Sequence, residues 1–261
     1  SVGLTTDTGA LLLDGDADGA NNGDIQIAAD ITLAAANSLT LDATTGNITG
    51  VGNLTLTANS GITVNDDLTT NGDTTIDSDV DGVDGVGTLT LNANLVTQDS
   101  TLTIDADDIA IAAAGSIDAG NADITVTDSD GSGIGLGGTS VDGLNITDTE
   151  LGLITADSLT LNTAGNVTVN GITDGNTTNI ASTLTINANT SGNVTFASNA
   201  SSINATLDVQ AANGIDVDVN VSTTNGDISL DGDSDGSADG DDAITIAANV
   251  TIAASGSMAL D

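Results

Sequence analysis

At 261 residues the chain is long enough for one or two ordinary domains, yet it carries 38 acidic side chains, no lysine, arginine or histidine, and a formal net charge of −38. No side chain can form a salt bridge, serve as a histidine base or cysteine nucleophile, or clamp a phosphate, so most catalytic chemistry and direct binding to nucleic acid are excluded, and an anionic membrane surface is disfavoured. With one phenylalanine, no tryptophan or tyrosine, and no cysteine, the core has to be thin and cannot be held by disulfides.

Short triplets of apolar, polar, apolar residues run along the chain. They are IQI at 25, ITL at 31, LTL at 39 and 54, ITV at 62, LTL at 89, LTI at 102, ITV at 124, LTL at 159, VTV at 167, LTI at 184, VTF at 194, ISL at 228, ITI at 244 and VTI at 250. Such alternation, rich in β-branched residues, predicts short half-buried strands. The intervening Gly, Asn, Asp and Ser predict tight turns. Helix is expected nowhere, since no stretch sustains apolar spacing at i, i+3 and i+4. No run approaches the length of a membrane span, and the opening residues show no signal peptide.

Repeats set the expected architecture. SLTLDATTGNIT at 38 returns as SLTLNTAGNVTV at 158, as TLTINANTSGNVTF at 183 and more loosely as NLTLTANSGITV at 53. Two or three such strands make a coil of about 20 residues that cannot bury its apolar face alone but stacks on copies of itself. The expected fold is therefore all-β, an elongated parallel β-solenoid of about 11 to 14 coils running through residues 1–261 as one domain. A β-sandwich is disfavoured because its thicker core needs larger inward residues. A longer period lies on top: residues 13–42 restart at 230–261, matching at about 18 of 30 positions once two extra residues are allowed. That restart reads as a window of a longer tandem array, with any targeting signal outside it.

The units SLTLDATTGNITG, NLTLTANSGITV and SLTLNTAGNVTV resemble the coil repeats of filamentous haemagglutinin-like exoproteins, large bacterial surface adhesins. The resemblance implies a right-handed parallel β-helix, a secreted or cell-surface fibre, and no catalytic residues to carry over. The secretion domain typical of that group is not in this stretch.

Three aspartate clusters follow strand ends and fit D-x-D-x-D-G, the first half of a calcium loop, in which alternate oxygens converge on one hard cation. They are Asp14, Asp16 and Asp18; Asp77, Asp79 and Asp81; and Asp231, Asp233 and Asp235. The usual glutamate at position 12 is missing: Ile25 stands there in the first loop, Thr88 or Leu89 near it in the second, and Asp242 in the third, where Asp239 takes position 9. Asp24, Asp84 and Asp241 are candidates to close shortened shells. A fourth cluster has only Asp128 and Asp130. The bland alternative is an acidic turn, since Asp and Gly favour turns in any case. Without Cys or His, softer metals are disfavoured and Ca2+ is the expected ion.

The function expected from these features is a non-catalytic structural or adhesive fibre, extracellular or at the cell surface, with calcium and further copies of itself as partners. Outward threonines such as Thr101 with Thr103 and Thr125 with Thr127 leave an ice-binding module as the alternative. A polysaccharide-active β-helix enzyme is a remoter one, lacking an aromatic platform or cationic residue.

Overall fold

A strand reading Leu-Thr-Leu puts both leucines on one face. Stacking such strands parallel and in register sets like residue over like at about 4.8 Å. The computed structural model describes residues 3–18, 23–82, 85–138, 141, 143–188, 190–237 and 242–261. It builds two units from that rule, Ser1–Ile124 with Leu153–Ala156, and Thr125–Gly152 with Asp157–Asp261. Both are parallel β-solenoids, and the sheets do not close into a barrel.

In the first unit each coil contributes one strand to each of three ladders. One ladder stacks Gly3–Thr5, Ile31–Ala35, Leu54–Ala58, Thr74–Asp77 and Leu102–Ala106. The next stacks Leu11–Asp14, Leu39–Asp42, Ile62–Val64, Thr88–Leu91 and Asp108–Ile111. The third stacks Ile25–Ile27, Ile48–Gly50, Leu68–Thr70, Asn94–Val96 and Ser116–Asp118. Down one inward column, Leu4 pairs with Leu33, Leu33 with Leu56, Leu56 with Ile76 and Ile76 with Ile104, so the coils are of unequal length. The step from Leu56 to Ile76 is the shortest and matches the expected coil of about 20 residues. The two longest steps, from Leu4 to Leu33 and from Ile76 to Ile104, contain the acidic loops at 14–24 and 77–87.

The second unit repeats the plan. Ile180–Ala188, Thr206–Ala211, Ile228–Asp231 and Met258–Leu260 form one ladder. Leu144–Thr147, Ile134–Gly137, Val167–Asn170, Val194–Phe196, Ile215–Val217 and Ile244–Ile246 form another. Ser201–Ile203, Val221–Thr223 and Ile252–Ala253 form the third. Leu184, Leu207, Ile228 and Met258 are stacked partners, and the longest step, from Ile228 to Met258, again contains an acidic loop.

The inward columns are Leu, Ile, Val and Ala, with Phe196 the largest fully buried side chain. Burying each Leu or Ile contributes about 1.5–3 kcal/mol. With no cations available, the corners are tied by amide and carboxylate stacks: Asn65 Nδ2 donates to Asp42 at 2.9 Å and Asn92 Nδ2 to Asn65 Oδ1 at 2.8 Å. The expectation of no helix is corrected by one turn, Asp148–Leu151. Its capping box joins Thr147 to the chain's only glutamate, Glu150, and it buries Leu151. A 3-10 turn follows at Asp174–Thr177.

Candidate functional site

All four acidic clusters sit where a strand hands over to the next corner, and in each an aspartate caps its own turn. Asp14 Oδ1 accepts from the N–H of Asp16 at 2.9 Å, Asp77 Oδ1 from Asp79 at 3.3 Å, Asp231 Oδ1 from Asp233 at 3.1 Å, and Asp130 Oδ1 from Ser132 at 2.8 Å. This two-residue return is the ordinary work of an Asx turn. In the first loop Asp16 turns in and is buried while Asp14 and Asp18 stay exposed. A Cβ on Gly23 would stand 1.9 Å from the carbonyl oxygen of Gly15, so the loop closes only because its two legs touch backbone to backbone. Asp24 does not complete a shell there: its Oδ1 accepts from the N–H of Asn47, one coil on, at 3.0 Å.

The second loop gathers more charge than its own residues supply. Asp105 is the register partner of Asp77. Burial pushes both carboxyls above the usual range; the charge of Asp79 pushes Asp77 the same way, and those of Asp77 and Asp79 add to the rise at Asp105. Asp79 is buried beside Gly87, and Asp81 is exposed. Asp105 belongs to no D-x-D-x-D-G motif, although TTID at 74 and LTID at 102 share a coil position that points to it.

In the third loop Asp233 and Asp235 are exposed, with Asp231 and Asp242 half-buried. Asp84, Asp239 and Asp241 lie outside the described residues. Among the described residues no group of three or more carboxylates is placed to hold a metal ion.

The fourth cluster is built differently. Asp128 closes a strand, Ile124–Asp128, whose inward positions are Ile124, Val126 and Asp128 itself. Strands of the same pattern, Ile31–Ala35, Leu54–Ala58 and Leu102–Ala106, put alanine at that last inward position. Asp128 is 3% exposed. Its Oδ2 accepts from the Gly133 N–H at 2.8 Å and the Thr163 hydroxyl at 2.6 Å. Thr163 is a second replacement of alanine, since the related units read LTLDA at 39, LTLNT at 159 and LTINA at 184. Oδ1 of Asp128 is buried with no hydrogen-bond donor. Burial pushes this carboxyl up to about 6 against the two donors, and neighbouring Asp130 adds to the rise. The corner opens on a cleft of about 350 Å³ lined by Thr127, Ser129, Asn162 and Thr190 among others.

Threonines do align across coils, Thr32 over Thr55, Thr75 and Thr103, but the file two residues on runs Ala34, Thr57, Asp77, Asp105. The paired threonine files of an ice-binding face are not formed there. No helix among the described residues is long and apolar enough to cross a membrane. Comparison with protein-family models, curated proteins and solved structures finds no match to this chain.

Proposed function

We propose that the chain is a non-catalytic segment of an extracellular or cell-surface fibre, adhesive or purely structural, which grows by end-on stacking of coils of its own kind and is stiffened by calcium at acidic corners. One observation carries the reading. The coil at 221–261 repeats the main corner bonds of the coil at 4–42. The Thr6 hydroxyl donates to the Gly9 carbonyl and accepts from the Ala36 N–H, both at 3.1 Å; the Thr223 hydroxyl does the same with Gly226 at 2.9 Å and Ser255 at 3.3 Å. Gly15 N–H donates to the Asp42 carbonyl, and Gly232 N–H to that of Asp261.

Residues 25–42 are covered by the next coil, through Ile48–Gly50, Leu54–Ala58 and Ile62–Val64. Among the described residues no strand lies over the corresponding edge of their counterparts at 244–261. Leu39 and Leu41 are 0% exposed while Met258 and Leu260 are 42% and 47% exposed. An apolar parallel-sheet edge of this kind invites another strand, and the fitting occupant is a further copy of the repeat. The likeness of the coils to those of large surface adhesins supports the extracellular setting.

The test is mass against concentration by light scattering, in millimolar calcium to offset the self-repulsion of −38. The wild type is expected to associate, Leu260→Lys and Leu4→Lys to block association at either end, and Val51→Lys, at an exposed corner, to leave it intact. A wild type that stays monomeric at every concentration, or equal loss in all three variants, overturns the reading.

A further inference from the structure

The Asp128 corner combines a buried acceptor that accepts no hydrogen bond, on a carboxyl aimed inward by its strand, with an adjoining oxygen-lined cleft; Asp105 Oδ1, beside the second loop, is likewise buried without a donor. We propose that Asp128 and Asp130, with the hydroxyl and amide oxygens of the cleft beside them, form a binding site for a calcium ion, tighter than any provided by the solvent-exposed Asp14, Asp18, Asp233 and Asp235. The inference rests on the calcium part of the reading above and not on its assembly part.

The argument starts from what the site lacks. A buried carboxylate oxygen without a donor is costly when charged and is normally matched by a lysine, arginine or histidine. This chain contains none of the three. Asp128 Oδ2 is used by Gly133 and Thr163, which fix the carboxyl plane and leave Oδ1 as the acceptor to be matched. Asp130 lies two residues on and lines the same cleft, and a cation between the two carboxylates would relieve their mutual repulsion.

The rest of the lining is oxygen-rich and free of nitrogen bases or sulfur: Thr127, Ser129, Asn162 and Thr190. That donor set suits a hard cation. An irregular set of carboxylate, hydroxyl, amide and water oxygens suits calcium, with its flexible coordination of six to eight oxygens, better than magnesium, which demands a near-ideal octahedron. The site is also constructed rather than incidental, because Asp128 and Thr163 each occupy an inward position that related strands give to alanine. At the first and third loops the burden is lighter, since Asp14 and Asp18, and Asp233 and Asp235, are exposed to solvent; the second loop shares it, with Asp79 buried and Asp105 Oδ1 without a donor.

Titration calorimetry with calcium, at constant physiological sodium to suppress diffuse binding, decides the matter. The wild type is expected to show one tightest class of site with a stoichiometry of one. Asp128→Ala, which restores the alanine of the related strands and so preserves the fold, is expected to weaken that class at least tenfold. Asp235→Asn is expected to leave it unchanged, and magnesium to bind at least tenfold more weakly than calcium. Thermal unfolding supplies a second readout: calcium raises the midpoint of the wild type and not that of Asp128→Ala. Equal binding and equal calcium response in wild type and Asp128→Ala overturn the proposal, as does loss of the site in Asp235→Asn instead. Repeating the titration in Leu260→Lys separates this site from assembly, since the site is expected to survive where end-on association fails.

Discussion

The coils at 4–42 and 221–261 are one design in two settings. Their main corner bonds correspond, and the side chains differ mainly in what lies against them. Ile27 is 6% exposed and its counterpart Ile246 is 45% exposed. At the opposite edge the asymmetry reverses: Leu4 is half exposed, whereas Val221, over Ser201, is buried. The comparison shows that a coil of this type holds its own shape through its corners but obtains its core from its neighbours, as expected of a nearest-neighbour solenoid.

The largest effect should come from the paired leucines. Leu41→Ala removes a side chain packed between coils and is expected to cost about 2–5 kcal/mol, against roughly 0.5 kcal/mol or less for Leu260→Ala in dilute protein. Urea unfolding of the two variants measures both, and equal losses would mean that the 244–261 edge is already covered. A second pair asks the same question of the backbone. Gly9 and Gly226 both have positive φ, but a Cβ at Gly9 meets nothing within 4 Å, while one at Gly226 falls 2.6 Å from the Thr206 nitrogen. Both alanine substitutions carry about 1–2 kcal/mol of backbone strain. Gly226→Ala should cost about 1–3 kcal/mol more, from overlap with the coil beneath; identical midpoints would break the assignment of a supporting coil there.

The smallest effect is electrostatic. Asp128 is raised from an ordinary 3.8 to about 6, so the folded protein holds that proton more tightly than the unfolded chain. The resulting stabilisation is complete below about pH 3.8 and is lost as pH rises through about 6. Asp77 and Asp105, raised by burial, act in the same direction, while exposed Asp99, lowered by its hydrogen bonds from Asn121, opposes them. Without calcium, the melting temperature is therefore expected to rise as pH falls from 7 to 5, and Asp128→Asn to flatten part of that slope. A melting temperature that falls steadily over that range would contradict the burial of these carboxyls.

Strands with strict alternation were legible because their inward residues are large: ITL at 31, LTL at 54 and LTI at 102 all lie where the pattern puts them. Apart from Ile25–Ile27, the third ladder of the first unit and much of that of the second were hard to see. Ser116–Asp118, Ser201–Ile203 and Asn94–Val96 bring one or two apolar residues each, and their neighbours above and below, rather than their own composition, make them strands. The helical turn at 148 was announced by the capping box in TDTE, a four-residue signal too short to show in an apolar period. At the acidic clusters the motif found the corners but ranked them by number of aspartates. Asp128 points inward from within its strand, at a position that related strands give to alanine, and only the parity of that strand reveals it.

Coil length has a consequence for how charge is spread along the first unit. Each coil advances by one strand spacing, about 4.8 Å, whatever its residue count. The short coil that carries Leu56 to Ile76 holds three aspartates, Asp66, Asp67 and Asp73, while the longer one that carries Ile76 to Ile104 holds five, Asp77, Asp79, Asp81, Asp84 and Asp99. Loop insertion therefore raises the charge per ångström without lengthening the stack. Because adjacent coils lie well within a Debye length of about 8 Å at physiological salt, their charges act on the same ions. The long coils become bands where counterions condense, and their position along the stack is written in nothing more than how much chain separates two strands.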